Sequence, residues 1–278
     1  MAESQYPFLE MLCQEKYPDE VLRDALLARG DAQEMLFTLA QERRLAFFPE
    51  NRAQVRSVIE VSNVCRQKCN YCAIGGKDQK LNFTLSADVM VALMEHLVEK
   101  GRQTILLQSG ENINDEFISD VAKAVREIKK EHNGLRIILC LGNLSKEQYQ
   151  LLYEAGASDY ILKFEASNSQ LFERCKPNDS LGRRLSCIMD LATIGFRVGS
   201  GNIVGLPGQT IDDLVQDLQL AHRLPLAMNS TTIFVPAENT PYANEPAGDP
   251  HLTLNMMALL RIMNPHRLMP TTSSLEKM

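Results

Sequence analysis

The chain has 278 residues, of which 45% are hydrophobic and 23% are charged, a globular composition that excludes a disordered or fibrous chain. The 29 basic and 35 acidic residues give a net charge of −6 without a basic cluster, which argues against a nucleic-acid partner. No apolar run reaches the roughly 18 residues that cross a bilayer, and the N-terminus lacks the basic start and apolar core of a secretory signal. We therefore expect a cytoplasmic location and no membrane partner.

Two kinds of periodicity divide the chain. Residues 18–46 carry apolar side chains at helical spacing and predict two N-terminal helices. From residue 55 onward, short apolar runs alternate with amphipathic segments that carry helix-capping residues and glycines at their ends. The predicted strands are 57–62, 104–108, 136–141, 160–164, 196–203, 231–235 and 267–272. The predicted helices between them are 86–100, 115–132, 145–155, 180–194, 211–223 and 253–263.

The alternation of strand and helix predicts an α/β fold with parallel strands joined by right-handed crossovers. Seven candidate strands without an obvious reversal of order favour a TIM-type (β/α) barrel over an open, doubly wound sheet. No eighth strand precedes Met278, so we expect a barrel without its last strand or strands, either an incomplete fold or a shortened chain. We predict an N-terminal helical extension over residues 1–50 and a barrel domain over residues 51–278.

The cysteines are unevenly distributed, and three of them lie close together. Cys65, Cys69 and Cys72 form a C-x3-C-x2-C motif directly after the first predicted strand, at the mouth where barrel enzymes place their chemistry. Three such thiolates can bind three irons of one [4Fe–4S] cluster and leave the fourth iron open to a small molecule. The alternative is a zinc knuckle with Cys140 or a histidine as the fourth ligand. No histidine lies between residues 1 and 95, so the motif favours the cluster.

The motif Cys-x3-Cys-x-Tyr-Cys after a first barrel strand resembles that of the radical S-adenosylmethionine (radical SAM) superfamily. Further stretches are similar to the HydE group, the maturases of the [FeFe]-hydrogenase H-cluster, which is related to biotin synthase and to the methylornithine synthase PylB. These stretches are residues 59–65 (IEVSNVC), 107–111 (LQSGE) and 203–214 (IVGLPGQTIDDL). The chain departs from the HydE pattern at residues 73–76, where Gly-Leu-Arg is usual, and at Lys163-Phe164, where Arg-His is usual.

The resemblance implies a [4Fe–4S] cluster on Cys65, Cys69 and Cys72, with S-adenosylmethionine chelating the open iron. Tyr71 matches the aromatic position beside the adenine, and Arg184 has the planar fork that suits a carboxylate. Ser109, Gly110 and Glu111 match the segment that binds the amino group of the cofactor. Glu165 matches a polar residue that binds the cofactor together with Arg184. Gly205 and Leu206 match the loop on the adenine side. Gln108, Thr271 and Thr272 are the candidates for contact with the substrate.

Each of these residues also has a structural explanation. Glu111 and Glu165 could be solvated loop acids, Arg184 could be a surface charge, and Gly205 could serve only a turn. Thr271 and Thr272 could form a turn at the end of a strand. The remaining cysteines, Cys13, Cys140, Cys175 and Cys187, are expected to be small core residues, since free cysteine is often buried.

The resemblance therefore implies a HydE-like enzyme that cleaves S-adenosylmethionine to a 5′-deoxyadenosyl radical and acts on a small or organometallic substrate inside the barrel. Its expected partners are an electron donor such as a ferredoxin or flavodoxin, and other hydrogenase maturation proteins. One alternative is a PylB-like mutase that rearranges an amino acid. Another, of a different class, is a non-catalytic iron–sulfur or zinc scaffold protein, which would bind metal without depending on S-adenosylmethionine.

Overall fold

A computed structural model describes residues 6–74 and 81–270. In this part of the chain three helices come before the first strand: α1 (Pro7–Cys13), α2 (Asp19–Leu27) and α3 (Asp31–Phe47). The strands are β1 (Ser57–Ser62), β2 (Thr104–Ser109), β3 (Arg136–Cys140), β4 (Asp159–Ile161), β5 (Arg197–Val204) and β6 (Met228–Ile233). The helices between and after them are α4 (Ala87–Glu99), α5 (Asp115–Glu131), α6 (Lys146–Glu154), α7 (Ser169–Cys175), α8 (Leu181–Ile194), α9 (Ile211–Arg223) and α10 (Pro250–Met263). No helix among the described residues is both long enough and apolar enough to span a membrane.

The six strands form one parallel sheet in which each strand pairs with the next along the chain. This sequential order confirms the predicted barrel-type α/β architecture and is different from the reversed order of a doubly wound sheet. Within the described residues the sheet runs from β1 at one edge to β6 at the other and is not closed. Because all strands point the same way, their carboxyl ends lie along one rim.

The predicted seventh strand begins where it was expected. Leu268 forms one parallel bridge with Met228, and its backbone accepts a bond from Asn229 N at 2.9 Å and donates one to Ala227 O at 3.0 Å. Residues 269 and 270 form no further strand pairing, and Thr271 and Thr272 lie outside the described residues.

The core lies between the sheet and the helices that cover its outer side. Ile105, Leu107, Ile137 and Leu139 of β2 and β3 are fully buried, as are Val121 and Val125 of α5. The N-terminal helices pack on the last helix, where the Gln33 side chain of α3 donates to Asn255 Oδ1 of α10 at 2.7 Å. The division into an extension and a barrel domain stays a prediction, since this packing does not define a boundary.

Three differences from the predicted elements have local causes. Helix α1 starts at Pro7, where proline suits the first helical turn, and it was missed because its apolar residues span only seven positions. Helix α7 is equally short, and its Asn168 N-cap was the available signal. Strand β6 begins at Met228, before its β-branched run, because backbone pairing with Gly199 of β5 extends it.

Candidate active site

A cavity of about 300 Å³ lies at the carboxyl ends of the strands. It brings together most of the predicted site residues, which come from four separate parts of the chain: Cys65, Cys69, Tyr71, Cys72, Gln108, Ser109, Gly110, Glu111, Glu165 and Arg184. A larger pocket of about 530 Å³ between α7, α8 and α9 contains none of them. The chemistry of the lining residues, and not the size of the pocket, therefore identifies the candidate site.

The loop that carries the cysteines is fastened on two sides. On one side, Asn70 N donates to Cys175 O at 2.8 Å, and the Asn70 side chain donates to Arg174 O at 2.7 Å. On the other side, the loop contacts the residues that follow β2, where Arg66 N donates to Glu111 O at 3.1 Å. A Cβ at Gly110 would come within 2.4 Å of Val64 O, so glycine is required for this close approach.

Two of the three cysteines have a thiol whose pKa is shifted by burial. Burial raises the pKa of the Cys69 and Cys72 thiols, and for Cys69 the nearby ammonium of Lys176 counteracts this rise. Lys176 Nζ lies 3.5 Å from Cys69 Sγ, and only 5% of Lys176 is exposed. Glu111 N donates to Cys65 Sγ at 3.2 Å. Two of the three sulfurs thus already have a hydrogen-bond donor beside them.

Glu111 joins the cysteine loop to the neighbouring strands. Its Oε1 accepts hydrogen bonds from Arg66 Nε at 2.8 Å and Gln67 Nε2 at 2.7 Å, and its Oε2 accepts one from Asn143 N at 2.9 Å. Burial alone would raise the pKa of Glu111, but these bonds and the charge of Arg184 hold the pKa below its usual value. Glu111 is therefore a buried carboxylate that stays ionised, and the explanation as a solvated loop acid is wrong.

Arg184 is also buried, with 4% of the residue exposed, which rules out a surface role. Its Nη2 lies 2.8 Å from Asp179 Oδ2 and 3.8 Å from Glu111 Oε2. Burial by itself would lower the pKa of the guanidinium, but the two carboxylates raise it above its ordinary value, so the group is always charged. Its Nε is buried and has no hydrogen-bond partner among the described residues.

Glu165 reaches the cavity from a turn after β4 and not from the strand itself. Its backbone has a φ of +61°, a conformation that residues other than glycine rarely adopt. Glu165 Oε2 lies 3.2 Å from Lys163 Nζ, which also donates to Thr232 Oγ1 at 2.9 Å. That oxygen forms an ion pair but has no well-directed hydrogen bond among the described residues.

The predicted adenine-side residues are arranged differently from the rest. Gly205 and Leu206 do not line the cavity; Leu206 belongs to a small apolar cluster against which Tyr71 packs. Burial raises the pKa of Tyr71 well above its ordinary value, so its hydroxyl stays protonated. Gly205 has a φ of +89°, and a Cβ there would come within 2.3 Å of Gly248 Cα. Leu206 therefore contacts the site indirectly, through the apolar cluster against which Tyr71 packs, whereas Gly205 allows the close approach to Gly248.

Several lining residues were not predicted from the sequence. The most important are Lys163 and Lys176, which line the cavity with Gln67 and Gly142. Cys140, expected to be a core residue or the fourth ligand of a zinc site, also lines the cavity. Burial raises the pKa of Cys140 to about 11, so its thiol is neutral. The available signal was position: Cys140 ends β3, and Lys163 follows β4, at the rim where Glu111 and Glu165 were already expected.

The residues present fit an iron–sulfur cluster with a polar ligand beside it. The cavity lining contains the three cysteines and three residues with a buried polar atom that has no hydrogen-bond partner among the described residues: Gln67 Oε1, Glu165 Oε2 and Arg184 Nε. Buried polar atoms of this kind are usually satisfied by a partner. In the described part of the chain no three His, Cys, Asp or Glu side chains surround a point where one metal ion would bind. A cluster does not need such convergence, since each thiolate binds a different iron.

Comparison with known proteins gives a consistent assignment. Residues 59–221 match the family model of the Radical SAM superfamily. The [FeFe] hydrogenase maturase subunit HydE of Thermotoga maritima is 38% identical over 271 residues, which cover 96% of this chain and 76% of that protein. The biotin synthase of Aquifex aeolicus is 29% identical over 238 residues, covering 83% of this chain and 70% of that one.

Solved structures agree on the fold. The crystal structure of methylornithine synthase (PylB) superposes with a TM-score of 0.84 at 22% identity and covers 95% of this chain and 78% of that one. The maturase HydG from Carboxydothermus hydrogenoformans superposes with a TM-score of 0.83, also at 22% identity, and covers 95% and 64%. At this identity the two structures show the shared fold alone. From the matched model and the relative at 38% identity, the chain belongs to the radical SAM superfamily and, within it, to the family of the HydE maturase subunit.

Proposed function

We propose that this chain is a HydE-type radical SAM enzyme that takes part in maturation of the [FeFe]-hydrogenase H-cluster. In this proposal Cys65, Cys69 and Cys72 bind one [4Fe–4S] cluster, and S-adenosylmethionine binds beside it. The observation that carries the proposal is the composition of the cavity, in a chain 38% identical to HydE. Three cysteines line it together with Arg184 Nε and Glu165 Oε2, two buried atoms that have no hydrogen-bond partner within the described residues.

The other lining residues have chemistry that suits S-adenosylmethionine. The guanidinium of Arg184 is fixed by Asp179 and has a free Nε for a carboxylate. Ser109 ends β2, and Gly110 and Glu111 follow it beside Cys65, where we place the amino group of the methionine part. Glu165 contributes an anionic oxygen, and Tyr71 offers an aromatic ring beside the cysteines. Gly205 and Leu206 keep their proposed adenine-side role, since Leu206 belongs to the apolar cluster against which Tyr71 packs. Together these groups provide opposite charges for a zwitterionic cofactor.

When bound, the cluster and S-adenosylmethionine supply one-electron reductive cleavage of the sulfonium, which yields a 5′-deoxyadenosyl radical. The role of the chain is to hold the reactants and to keep water away from so reactive a species. Lys163 and Gln108 line the cavity and provide polar contacts for a small or organometallic substrate. The Gln108 side chain is held by Glu60, since its Nε2 donates to Glu60 Oε1 at 2.8 Å. Thr271 and Thr272 keep their proposed substrate role, although they lie outside the described residues. An external one-electron donor, a ferredoxin or flavodoxin, completes the chemistry.

The cluster assignment is tested by anaerobic reconstitution of single cysteine variants. We expect about four irons per chain in the wild type and near-complete loss of bound iron in Cys65→Ala, Cys69→Ala and Cys72→Ala. Cys187→Ala is the matched control, because Cys187 is buried behind the strands with its thiol on Leu144 O. Cys140→Ala tests the zinc alternative, in which Cys140 is a ligand: loss of metal in that variant would contradict the proposal.

The maturase role is tested separately, by expression in a host that lacks HydE. Restored hydrogenase activity, together with 5′-deoxyadenosine formation by the purified protein, is the expected result. Radical formation with an amino acid converted to an isomer would instead select the PylB-like mutase, for which Lys163 and Glu60 supply charged groups of both signs. Bound iron with no dependence on S-adenosylmethionine would select the scaffold protein.

A further inference from the structure

The turn that carries Glu165 is strained. Ala166 N donates to Phe164 O at 2.7 Å, which closes a three-residue turn with Glu165 at its centre. The φ of +61° at Glu165 belongs to a left-handed region that is unfavourable for a side chain larger than glycine. Such a conformation persists only where the surrounding structure determines it, and it occurs preferentially at functional sites.

Strand β5 determines the backbone of Glu165 on one side. Glu165 pairs with Asn202 in an isolated parallel bridge beyond the end of β4. Its N donates to Gly201 O at 2.9 Å, and its O accepts a bond from Ile203 N at 2.9 Å. The turn is therefore anchored to the residues on either side of Asn202.

A buried carboxylate on α9 fastens the turn on the other side. Asp217 Oδ1 accepts a hydrogen bond from Ser167 N at 2.6 Å, two residues after Glu165. Asp217 Oδ2 accepts one from the side chain of Asn202 at 2.9 Å, and Asn202 Oδ1 in turn accepts one from Thr231 Oγ1 at 3.0 Å. The side chain of Asp217 thus joins both chain segments that define the turn.

Asp217 is an unusual residue for the hydrophobic face of a helix. It is fully buried, and this burial raises its pKa to about 7. A buried carboxylate is costly unless its oxygens accept hydrogen bonds. Both of its oxygens are used to fix the segment that carries Glu165 and the strand beside it.

We infer that Asp217 is a positioning residue for S-adenosylmethionine: through Ser167 N and Asn202 it holds the strained turn that presents Glu165 to the cavity. The inference rests on the proposed function, in which Glu165 contacts S-adenosylmethionine. Asp217 itself does not line the cavity and acts only through the turn.

The test compares the affinity for S-adenosylmethionine of reconstituted variants, measured anaerobically by titration calorimetry. Asp217→Leu keeps a similar volume but removes both acceptors, and we expect binding weakened by about tenfold, as when the competent conformation falls to about a tenth of the population. The electron paramagnetic resonance signal of the reduced cluster without S-adenosylmethionine should be unchanged. Asp217→Ala gives the same comparison if Asp217→Leu does not fold, because it removes the acceptors without adding volume.

Two further variants separate positioning from general stability. Asp217→Asn should retain nearly wild-type affinity, because its Oδ1 still accepts from Ser167 N, and the Asn202 amide can turn over to accept from the new Nδ2 and donate to Thr231 Oγ1. Asn255→Ala is the control for a lost buried network, since the Asn255 amide donates to Leu26 O and Ala28 O, both at 2.9 Å, between α10 and the N-terminal helices. It should lower the melting temperature but leave the affinity unchanged.

Each outcome decides one claim. Wild-type protein that holds a cluster but does not bind S-adenosylmethionine contradicts the proposed function. If the wild type binds and Asp217→Leu or Asp217→Ala binds as tightly as Asn255→Ala, the positioning role is wrong and the proposed function stands. If Glu165→Ala also binds as tightly as the wild type, Glu165 is not a contact, and the inference about Asp217 fails with it.

Discussion

A buried lysine beside Cys69 is the charge that would most directly affect an iron–sulfur cluster bound in this site. Lys176 Nζ lies 3.5 Å from Cys69 Sγ and is almost completely shielded from water. Hydrogen bonds to cluster sulfurs and nearby charge are among the main determinants of reduction potential. A cation at this position stabilises the more negative, reduced form of the cluster, so it favours acceptance of an electron.

Lys176→Met should therefore lower the midpoint potential of the bound cluster, by an amount on the order of tens of millivolts, whereas Lys176→Arg should keep most of the wild-type potential. The measurement is a redox titration of the reconstituted protein without S-adenosylmethionine, monitored by electron paramagnetic resonance. An unchanged or higher potential in Lys176→Met would show that the ammonium does not act on the cluster.

Gly110 gives a second prediction at the level of one residue. A methyl group there would approach Val64 O to 2.4 Å and Cys65 Cβ to 2.6 Å, so Gly110→Ala must push the cysteine loop away from β2. We expect reduced retention of iron and a loss of about 1–3 kcal/mol in the free energy of unfolding. Gly134→Ala is the matched control, because no atom lies within 4 Å of the added carbon. Equal iron content in both variants would contradict the close contact.

At the scale of elements, the buried side chain of Asp217 links α9 to the segment after β4 and to β5. Burial raises the pKa of Asp217 from 3.8 to about 7, so the folded state binds the proton more tightly than the unfolded state. The stability that this proton contributes is fully present below about pH 4 and is lost as the pH rises toward 7. Asp217→Asn has no such proton to lose.

The free energy of unfolding of the wild type should therefore fall relative to that of Asp217→Asn between pH 5 and pH 7, by about 2–3 kcal/mol. Urea unfolding of both proteins, free of cluster and under reducing conditions, measures this difference. A difference that does not change with pH, or that grows in favour of the wild type as the pH rises, would show that the Asp217 pKa is not raised.

The elements also show which features a single sequence can predict. The six strands and their order were predicted because short runs rich in apolar and β-branched residues alternate with amphipathic helices along the chain. The cysteine motif was predicted because its ligands are local in the chain. The strained turn at Glu165 was not, since it depends on Asn202 and Asp217, which lie 37 and 52 residues further along the chain. Lys176 was missed for the same reason: only the folded chain brings it against Cys69. A short helix such as α7 is stabilised by its packing in the fold, and it is too short to show a helical periodicity in the sequence.

At the scale of the whole molecule, the two ends of the sheet have different tasks. The carboxyl ends carry the cysteines and the buried polar groups, whereas near the amino ends Arg136 Nε donates to Asp159 Oδ2 at 2.8 Å and ties β3 to β4. Asp159 is fully buried, and none of its contacts reaches the cavity. In parallel barrels the carboxyl ends hold the chemistry and the amino ends contribute stability.

Asp159→Asn should consequently lower the free energy of unfolding by about 1–3 kcal/mol, since it leaves the half-buried guanidinium of Arg136 without its counter-ion. The same variant should bind cluster iron and S-adenosylmethionine within about twofold of the wild type, because the rim is held by separate contacts. Chemical denaturation and calorimetric titration test the two halves of this prediction. A large loss of affinity would mean that the two ends of the sheet are coupled.

The most direct test of the central claim is electron paramagnetic resonance of the anaerobically reconstituted, reduced protein with and without S-adenosylmethionine. We predict the signal of a reduced [4Fe–4S] cluster that changes when S-adenosylmethionine is added, since the iron without a protein ligand is where the cofactor would bind. A cluster signal indifferent to S-adenosylmethionine, or no cluster signal in protein that retains its fold, would contradict the assignment of this cavity as a radical SAM site.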